Sequence, residues 1–378
     1  MNASEERYDV VVVGVGGMGS AATYHLARRG LDVLGIEQYD VPHSKGSSHG
    51  STRIVRLVQH EGPEYVPLAR RALDLYRELE ATTGRDLLTT TGSVHAGAPE
   101  TDMVEDAAAS CDAHGVPYER LSAAEVNERF PGYDLPASFE AVFQPDGGFV
   151  DCERTVVAHV EAAHAEGATV RARERVRDWH ETADGVRVVT DKGRYAADHL
   201  VVTAGAWAGG LLPDLAVDLT PVRRVIAWLQ PERPERFTPE TFPVFSVRDT
   251  DESGYGFPVY DVPGFKFGRS PGNPKVVDPD DFDPEPSHAE EELLRRFASR
   301  YFPDGAGPTL RLATCMLTES PDGDFLLGRL PGHDSVTVAA GFTGHGFKFT
   351  SAVGEALADF AVDGDTDLPV DPHRIERF

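Results

Sequence analysis

The segment from Tyr8 to Glu37 constrains the fold more than any other part of the chain. Tyr8-Asp9-Val10-Val11-Val12-Val13 is a β-branched run of the kind buried in a parallel sheet. It enters Gly14-Val15-Gly16-Gly17-Met18-Gly19 without a break. Ser20–Arg29 then reads as a helix stopped at Gly30, and Asp32–Glu37 as a second strand. Strand, glycine turn, helix and strand in this order make a βαβ unit, the context in which a GxGxxG pattern binds a dinucleotide. Gly14 permits the tight turn, Gly16 lets a pyrophosphate approach the backbone, and Gly19 lets the helix pack on the strand. Gly17 and Met18 complete the turn, and the pyrophosphate would meet the free N–H groups of the helix N-terminus. Glu37 lies 18 residues beyond Gly19, where a carboxylate accepts hydrogen bonds from a ribose hydroxyl. That negative charge argues against a 2′-phosphate, and so against NADP.

Further along, Pro42–Ser51 is a Ser/Gly/His loop, and Ser51 or Thr52 is placed to cap a helix carrying Arg53 and Arg56 on one face. Pro67–Glu80 has an amphipathic helical pattern. Ala168–Thr190 holds two strand patterns split by Asp184-Gly185, and His199–Trp207 reads as a buried strand ending at Gly205. Residues 216–312 are richer in proline and aromatics, with strands predicted at Val222–Gln230, Gly254–Tyr260 and Gly264–Phe267 and a helix at Ala289–Arg300. Thr337–Ala340 returns as a strand, and Gly344–Lys348 leads into a helix over Ser351–Ala361. The fold class is therefore mixed α/β (α+β). A Rossmann-like dinucleotide-binding domain (1–85, 150–215 and 315–378) is interleaved with an antiparallel-sheet substrate domain (86–149 and 216–314).

Composition narrows the function. The 378 residues carry 62 acids and 36 bases, a net charge of −26, which repels nucleic acid and anionic membranes. No run approaches the roughly 18 apolar residues of a membrane span. Met1–Arg7 is short and acidic, so the sequence predicts no signal peptide and a cytoplasmic protein. Lysine occurs only at positions 45, 192, 266, 275 and 348, so 31 of the 36 bases are arginine. An acid-rich, lysine-poor surface fits a halophilic, salt-adapted protein. The cysteines, Cys111, Cys152 and Cys315, are too few and scattered for a disulfide framework or a zinc site, so no metal is expected.

The chain resembles the monomeric sarcosine oxidase and N-methyltryptophan oxidase family of flavoproteins. The likeness is carried by Gly14–Gly19, His49-Gly50-Ser51-Thr52-Arg53-Ile54-Val55-Arg56, Glu64–Ala69, Ala204-Gly205-Ala206-Trp207, Tyr255-Gly256-Phe257-Pro258, Cys315-Met316 and Gly344–Phe349, and it spans residues 8 to 378. It implies FAD as the cofactor, attached through a thioether at Cys315 and cradled in part by Gly205, Trp207, Gly344, Gly346 and Phe347. It implies that Arg56 and Lys348 bind the substrate carboxylate, with Tyr255, Gly344 and His345 beside them. Lys266 matches a lysine near the flavin that speeds the reaction with O₂, Arg53 a cation and His49 a histidine near the ring. The helix after Gly344–Gly346, with Lys348, would stabilise negative charge on the reduced flavin. Ser270 and Leu317 depart from the family's histidine and tyrosine at pocket positions, and Leu317, without the hydroxyl, makes the pocket more apolar.

The resemblance implies an FAD-dependent oxidase of N-methyl (secondary) amino acids. It would use O₂ to produce H₂O₂ and an aldehyde, as a monomer or small homo-oligomer. Three alternatives stand beside it: a related flavin dehydrogenase with another electron acceptor, an oxidase of a bulkier or cyclic amine such as N-methyltryptophan or pipecolate, and a non-catalytic dinucleotide-binding protein.

Overall fold

A computed structural model describes residues 5–270 and 274–378. Residues Met1–Ser4, part of the segment read above as leaderless, lie outside the described residues.

The strand Glu6–Val13, the helix Gly17–Arg28 and the strand Val33–Ile36 form the opening βαβ unit. Val10–Val13 pair in parallel with Val33–Ile36 on one side and with His199–Val202 on the other. The run lies buried in mid-sheet, which is why it carries no polar alternation. Among the described residues, eight strands make this sheet. The helices Gly17–Arg28, Cys152–Ala165, Tyr65–Thr83 and Thr350–Val362 pack around it in one apolar core.

Among the described residues, a second sheet of nine strands is mainly antiparallel. It runs from Thr220–Leu229, which pairs with Thr309–Glu319, through Phe265–Arg269, Ser253–Phe257 and Val244–Arg248 to Ser93–Gly97 and Glu140–Gln144. One of its faces buries an aromatic cluster that includes Phe237, Phe242, Phe245, Phe265, Phe267, Phe297 and Phe302.

The sequence suggested a helix after Ser51 or Thr52. The structure has the strand Thr52–Val55 there, antiparallel to Gly148–Asp151 in a three-stranded sheet. The cause is non-local: Gly50 and Ser51 take φ of 93° and 70°, and Glu153 accepts from both their N–H groups. Extended backbone sends residues at odd spacing to opposite sides. Arg53 and Arg56 accordingly serve different surroundings.

Candidate active site

A cavity of about 600 Å³ opens where the two large sheets meet. Gly14, Gly16, Gly17, Met18, Glu37, Gly205, Trp207, Gly344, Gly346 and Phe347 line it, together with Arg53 and Leu317. The glycines there are not equivalent. A Cβ on Gly14 would come within 2.6 Å of Thr203 O, and one on Gly19 within 1.8 Å of Gly14 O, so both are required by packing. A Cβ on Gly16 would meet only Ser48 Oγ, at 3.5 Å, so that position is open toward the cavity. Gly19 lies behind the lining, at the helix–strand contact. Glu37 is buried and its carboxylate accepts from the N–H groups of Val15 and Tyr39, both at 3.0 Å. Trp207 donates to Asp280 at 2.9 Å and packs edge-on to Tyr39. These features fit FAD: an uncluttered backbone at Gly16, a helix N-terminus without a side-chain cap of its own, and a fixed carboxylate 18 residues past the last glycine.

The second sheet presents a chemically different face to the same region. Cross-strand pairing aligns Ala313, Ile226, Gly268, Tyr255, Ser246 and His95 in one row. The parallel row holds Arg311, Trp228, Lys266 and Phe257. Cys315 pairs with Arg224 and Leu317 with Val222, on the same face as these rows. Lys266 is buried with Nζ 4.3 Å from the centre of the Phe257 ring. It donates to Thr52 O at 2.7 Å and Thr52 Oγ1 at 2.9 Å. Burial first, and then Arg53, push its pKa well below the ordinary lysine value. Arg53 donates to Ser47 O and Thr52 O and stands over the Phe347 ring. Burial raises the Cys315 thiol pKa, while Arg53, Lys266 and Arg224 pull it down. Burial likewise pushes Tyr255 up to about 12. His49 is buried with Nε2 unpartnered, and burial followed by Arg53 and Lys266 lowers it to about 3.

Arg56 follows the short strand by one residue and joins a different cluster. Its guanidinium donates to Glu61 Oε1 at 2.7 Å, and Lys348 Nζ reaches the same oxygen at 3.2 Å. Both cations are buried. Burial, then Arg56, lowers Lys348 to about 7 against the opposing pull of Glu61. Burial works to raise the Glu61 pKa, yet Arg56, His60 and Lys348 hold it well below the usual carboxylate range. His345 packs edge-on to Tyr65 and is lowered to about 4, mainly by burial.

The structure thus gathers the glycines, Glu37, Gly205, Trp207 and Phe347 at one cavity. Lys266, Arg53, Tyr255 and Cys315 share a neighbouring face, and Arg56 joins Lys348. Sequence reasoning passed over Glu61, although His60-Glu61 sits between the arginines and the helix that starts at Tyr65. It also passed over Glu153, the clamp on Gly50 and Ser51, and over His95, which reaches the site only through strand pairing. Among the described residues no cluster of His, Cys, Asp or Glu is arranged to hold a metal ion. Among them, too, no helix is long and apolar enough to cross a membrane.

Residues 9–360 match the family described as FAD dependent oxidoreductase. The chain belongs to this family. It is 41% identical over 375 residues to the monomeric sarcosine oxidase of Streptomyces avermitilis, covering 97% of this chain and 98% of that one. It is 35% identical over 373 residues to the N-methyl-L-tryptophan oxidase of Yersinia pestis, covering 98% and 99%. Among solved structures it is similar to NikD, an unusual amino acid oxidase essential for nikkomycin biosynthesis, with a TM-score of 0.85, 29% identity and coverage of 98% and 97%. The fold is shared with L-proline dehydrogenase from P. horikoshii at a TM-score of 0.86 and 22% identity, over 99% and 98%. This FAD-dependent oxidoreductase therefore has the mixed α/β architecture of the FAD-dependent amino acid oxidases.

Proposed function

We propose that the chain oxidises N-methyl and other secondary amino acids with O₂. For sarcosine, the amine, O₂ and H₂O would yield glycine, formaldehyde and H₂O₂. The observation that carries this reading is the joint hold of Arg56 and Lys348 on one carboxylate oxygen, 2.7 and 3.2 Å away, beside the dinucleotide cavity. A substrate carboxylate can use the same donors, the guanidinium for planar recognition and the ammonium as a point charge. Bound FAD would supply the two-electron acceptor. Tyr255, paired with Gly268, would flank the reacting atoms, with Gly344 and His345 at the turn before Lys348. Lys266, as an ammonium, would bring a buried positive charge to where negative charge builds as O₂ is reduced. Leu317, which a Cβ on Gly344 would touch at 2.9 Å, gives the pocket an apolar edge suited to bulkier or cyclic amines.

Cys315 is the proposed tether of FAD, favoured by the four cations, Arg53, Lys266, Arg224 and Arg223, that oppose the effect of burial on its thiol. Flavin that stays with the acid-precipitated protein, and is released from Cys315→Ala, is the expected result; free flavin from both would end the tether. The split into a flavin-binding unit (1–85, 150–215, 315–378) and a substrate unit is proposed on the same footing. So is a reducing, cytoplasmic setting, supported by three free cysteines.

The test is a panel of secondary amines, sarcosine, N-methyltryptophan, pipecolate and proline, mixed with the yellow protein without oxygen. At least one should bleach the flavin band, and air should restore it with release of H₂O₂. No bleaching by any of them defeats the substrate class. Bleaching reversed only by an added acceptor makes the chain a dehydrogenase.

A further inference from the structure

Beyond the carboxylate site lies a buried polar cluster that the oxidation does not use. His95 follows Tyr255 and Ser246 in the cross-strand row, two strands past the tyrosine. At about 4.8 Å per strand it sits about 10 Å from Tyr255 along the sheet. It is fully buried, its Nε2 is 3.3 Å from Ser93 Oγ, and its Nδ1 has no partner. The His60 ring stands 5.7 Å away, also with Nδ1 unpartnered. His60 Nε2 lies 3.8 Å from Glu61 Oε1, the oxygen held by Arg56 and Lys348, while Glu61 Oε2 has no partner.

Three contiguous residues thus leave buried hydrogen-bonding atoms unmatched, a costly arrangement unless something meets them. The place they occupy adjoins the carboxylate oxygen held by Arg56 and Lys348. A carboxylate oxygen can only accept and an imidazole nitrogen can do either, so the missing group must donate. Arg56 and Lys348 stand beside the cluster, and their like charge disfavours a cationic donor. Burial holds both imidazoles neutral at ordinary pH, with His60 lowered to about 3 and His95 well below its usual value. A neutral donor is what remains.

Resting on the oxidase reading above, we propose that His60, Glu61 and His95 form a side-chain subsite for secondary amino acids bearing a neutral hydrogen-bond donor, a carboxamide or a hydroxyl. The substrate's carboxylate would lie on Arg56 and Lys348 and its polar side-chain end against the two histidines.

N-methyl-L-asparagine and N-methyl-L-leucine test this, because their side chains match in shape and differ in hydrogen bonding. With the flavin-loaded enzyme, kcat/KM should favour the amide by about tenfold or more, since a site with unpaired polar groups rejects the apolar isostere. His60→Leu and His95→Val should each bring that ratio toward one, and His95→Gln should restore part of it. Retained yellow colour and a cooperative melt report folding of each variant. If one fails to fold, the wild-type ratio and the other variant decide. An amide no better than the leucine analogue, or a ratio unmoved by both variants, overturns the subsite. If sarcosine bleaches the flavin while the amide shows no advantage, only the subsite falls. If neither analogue nor sarcosine bleaches it, the oxidase reading falls as well.

Discussion

The two surfaces that meet at the cavity are built on opposite principles. The cradle on the parallel sheet is shaped by backbone: glycines, a helix N-terminus and one carboxylate, Glu37. The facing antiparallel sheet is shaped by side chains, and its neighbourhood concentrates the buried Lys266, Arg56 and Lys348 together with the half-buried Arg53. Holding a cofactor needs close approach and fixed dipoles, at little cost in desolvation. Chemistry needs charge at a defined place, and the burial that strengthens such charge also displaces its pKa. The charged face accordingly contains lysines pulled far from their ordinary pKa.

The sharpest way to break this contrast is to remove charge from one side only. Arg56→Ala removes the guanidinium from a buried carboxylate pair and leaves Lys348 alone to hold a substrate carboxylate, a loss of about 3 kcal/mol, or on the order of 100-fold. It should lower kcat/KM for sarcosine by that factor with flavin content unchanged; a variant that loses flavin instead would erase the distinction. On the cradle side, Gly16→Ala and Gly19→Ala should differ. The open Gly16 site should yield a folded protein that binds FAD weakly. Gly19→Ala should destabilise the fold itself by about 1–3 kcal/mol, the cost of overpacking, read as a lower melting temperature of the flavin-free protein. Equal melting temperatures would mean that the two glycines do the same job.

The cradle was legible in the sequence because its parts are local. One run of 30 residues holds strand, turn, helix, strand and carboxylate, and each has a backbone reason for its residue type. The charged face was legible only in part. Lys266 and Lys348 stood out in a chain with five lysines, but their partners come from strand pairing. Thr52 under Lys266, Glu61 between Arg56 and Lys348, and His95 beside Ser246 are brought together across long stretches of chain. The same non-locality explains the mistaken helix at Arg53, whose strand is fixed by Gly148–Asp151 and by Glu153.

Acidity provides a gentler probe of the difference. Lys348 has its pKa lowered to about 7, so it is charged below that value and loses its charge as pH rises through it. Methoxyacetate, a sarcosine isostere without an amine, should therefore bind about tenfold more weakly at about pH 9 than at about pH 6. Lys348→Met should flatten that profile; a flat wild-type profile would remove Lys348 from carboxylate docking. The smallest effect concerns the exterior. With a net charge of −26, the melting temperature should rise by several degrees between about 0.1 M and about 2 M KCl, as repulsion is screened. Full stability in dilute buffer would remove salt adaptation.

The central claim is that buried charge on the antiparallel face, and not the cradle, drives the reaction with oxygen. Stopped-flow measurement of both half-reactions in Lys266→Met tests it most directly. Reoxidation by O₂ should slow by about 100-fold or more, the scale of losing one preorganised electrostatic group, while anaerobic reduction by sarcosine slows far less. Equal slowing of the two steps, or reoxidation at the wild-type rate, would contradict the account.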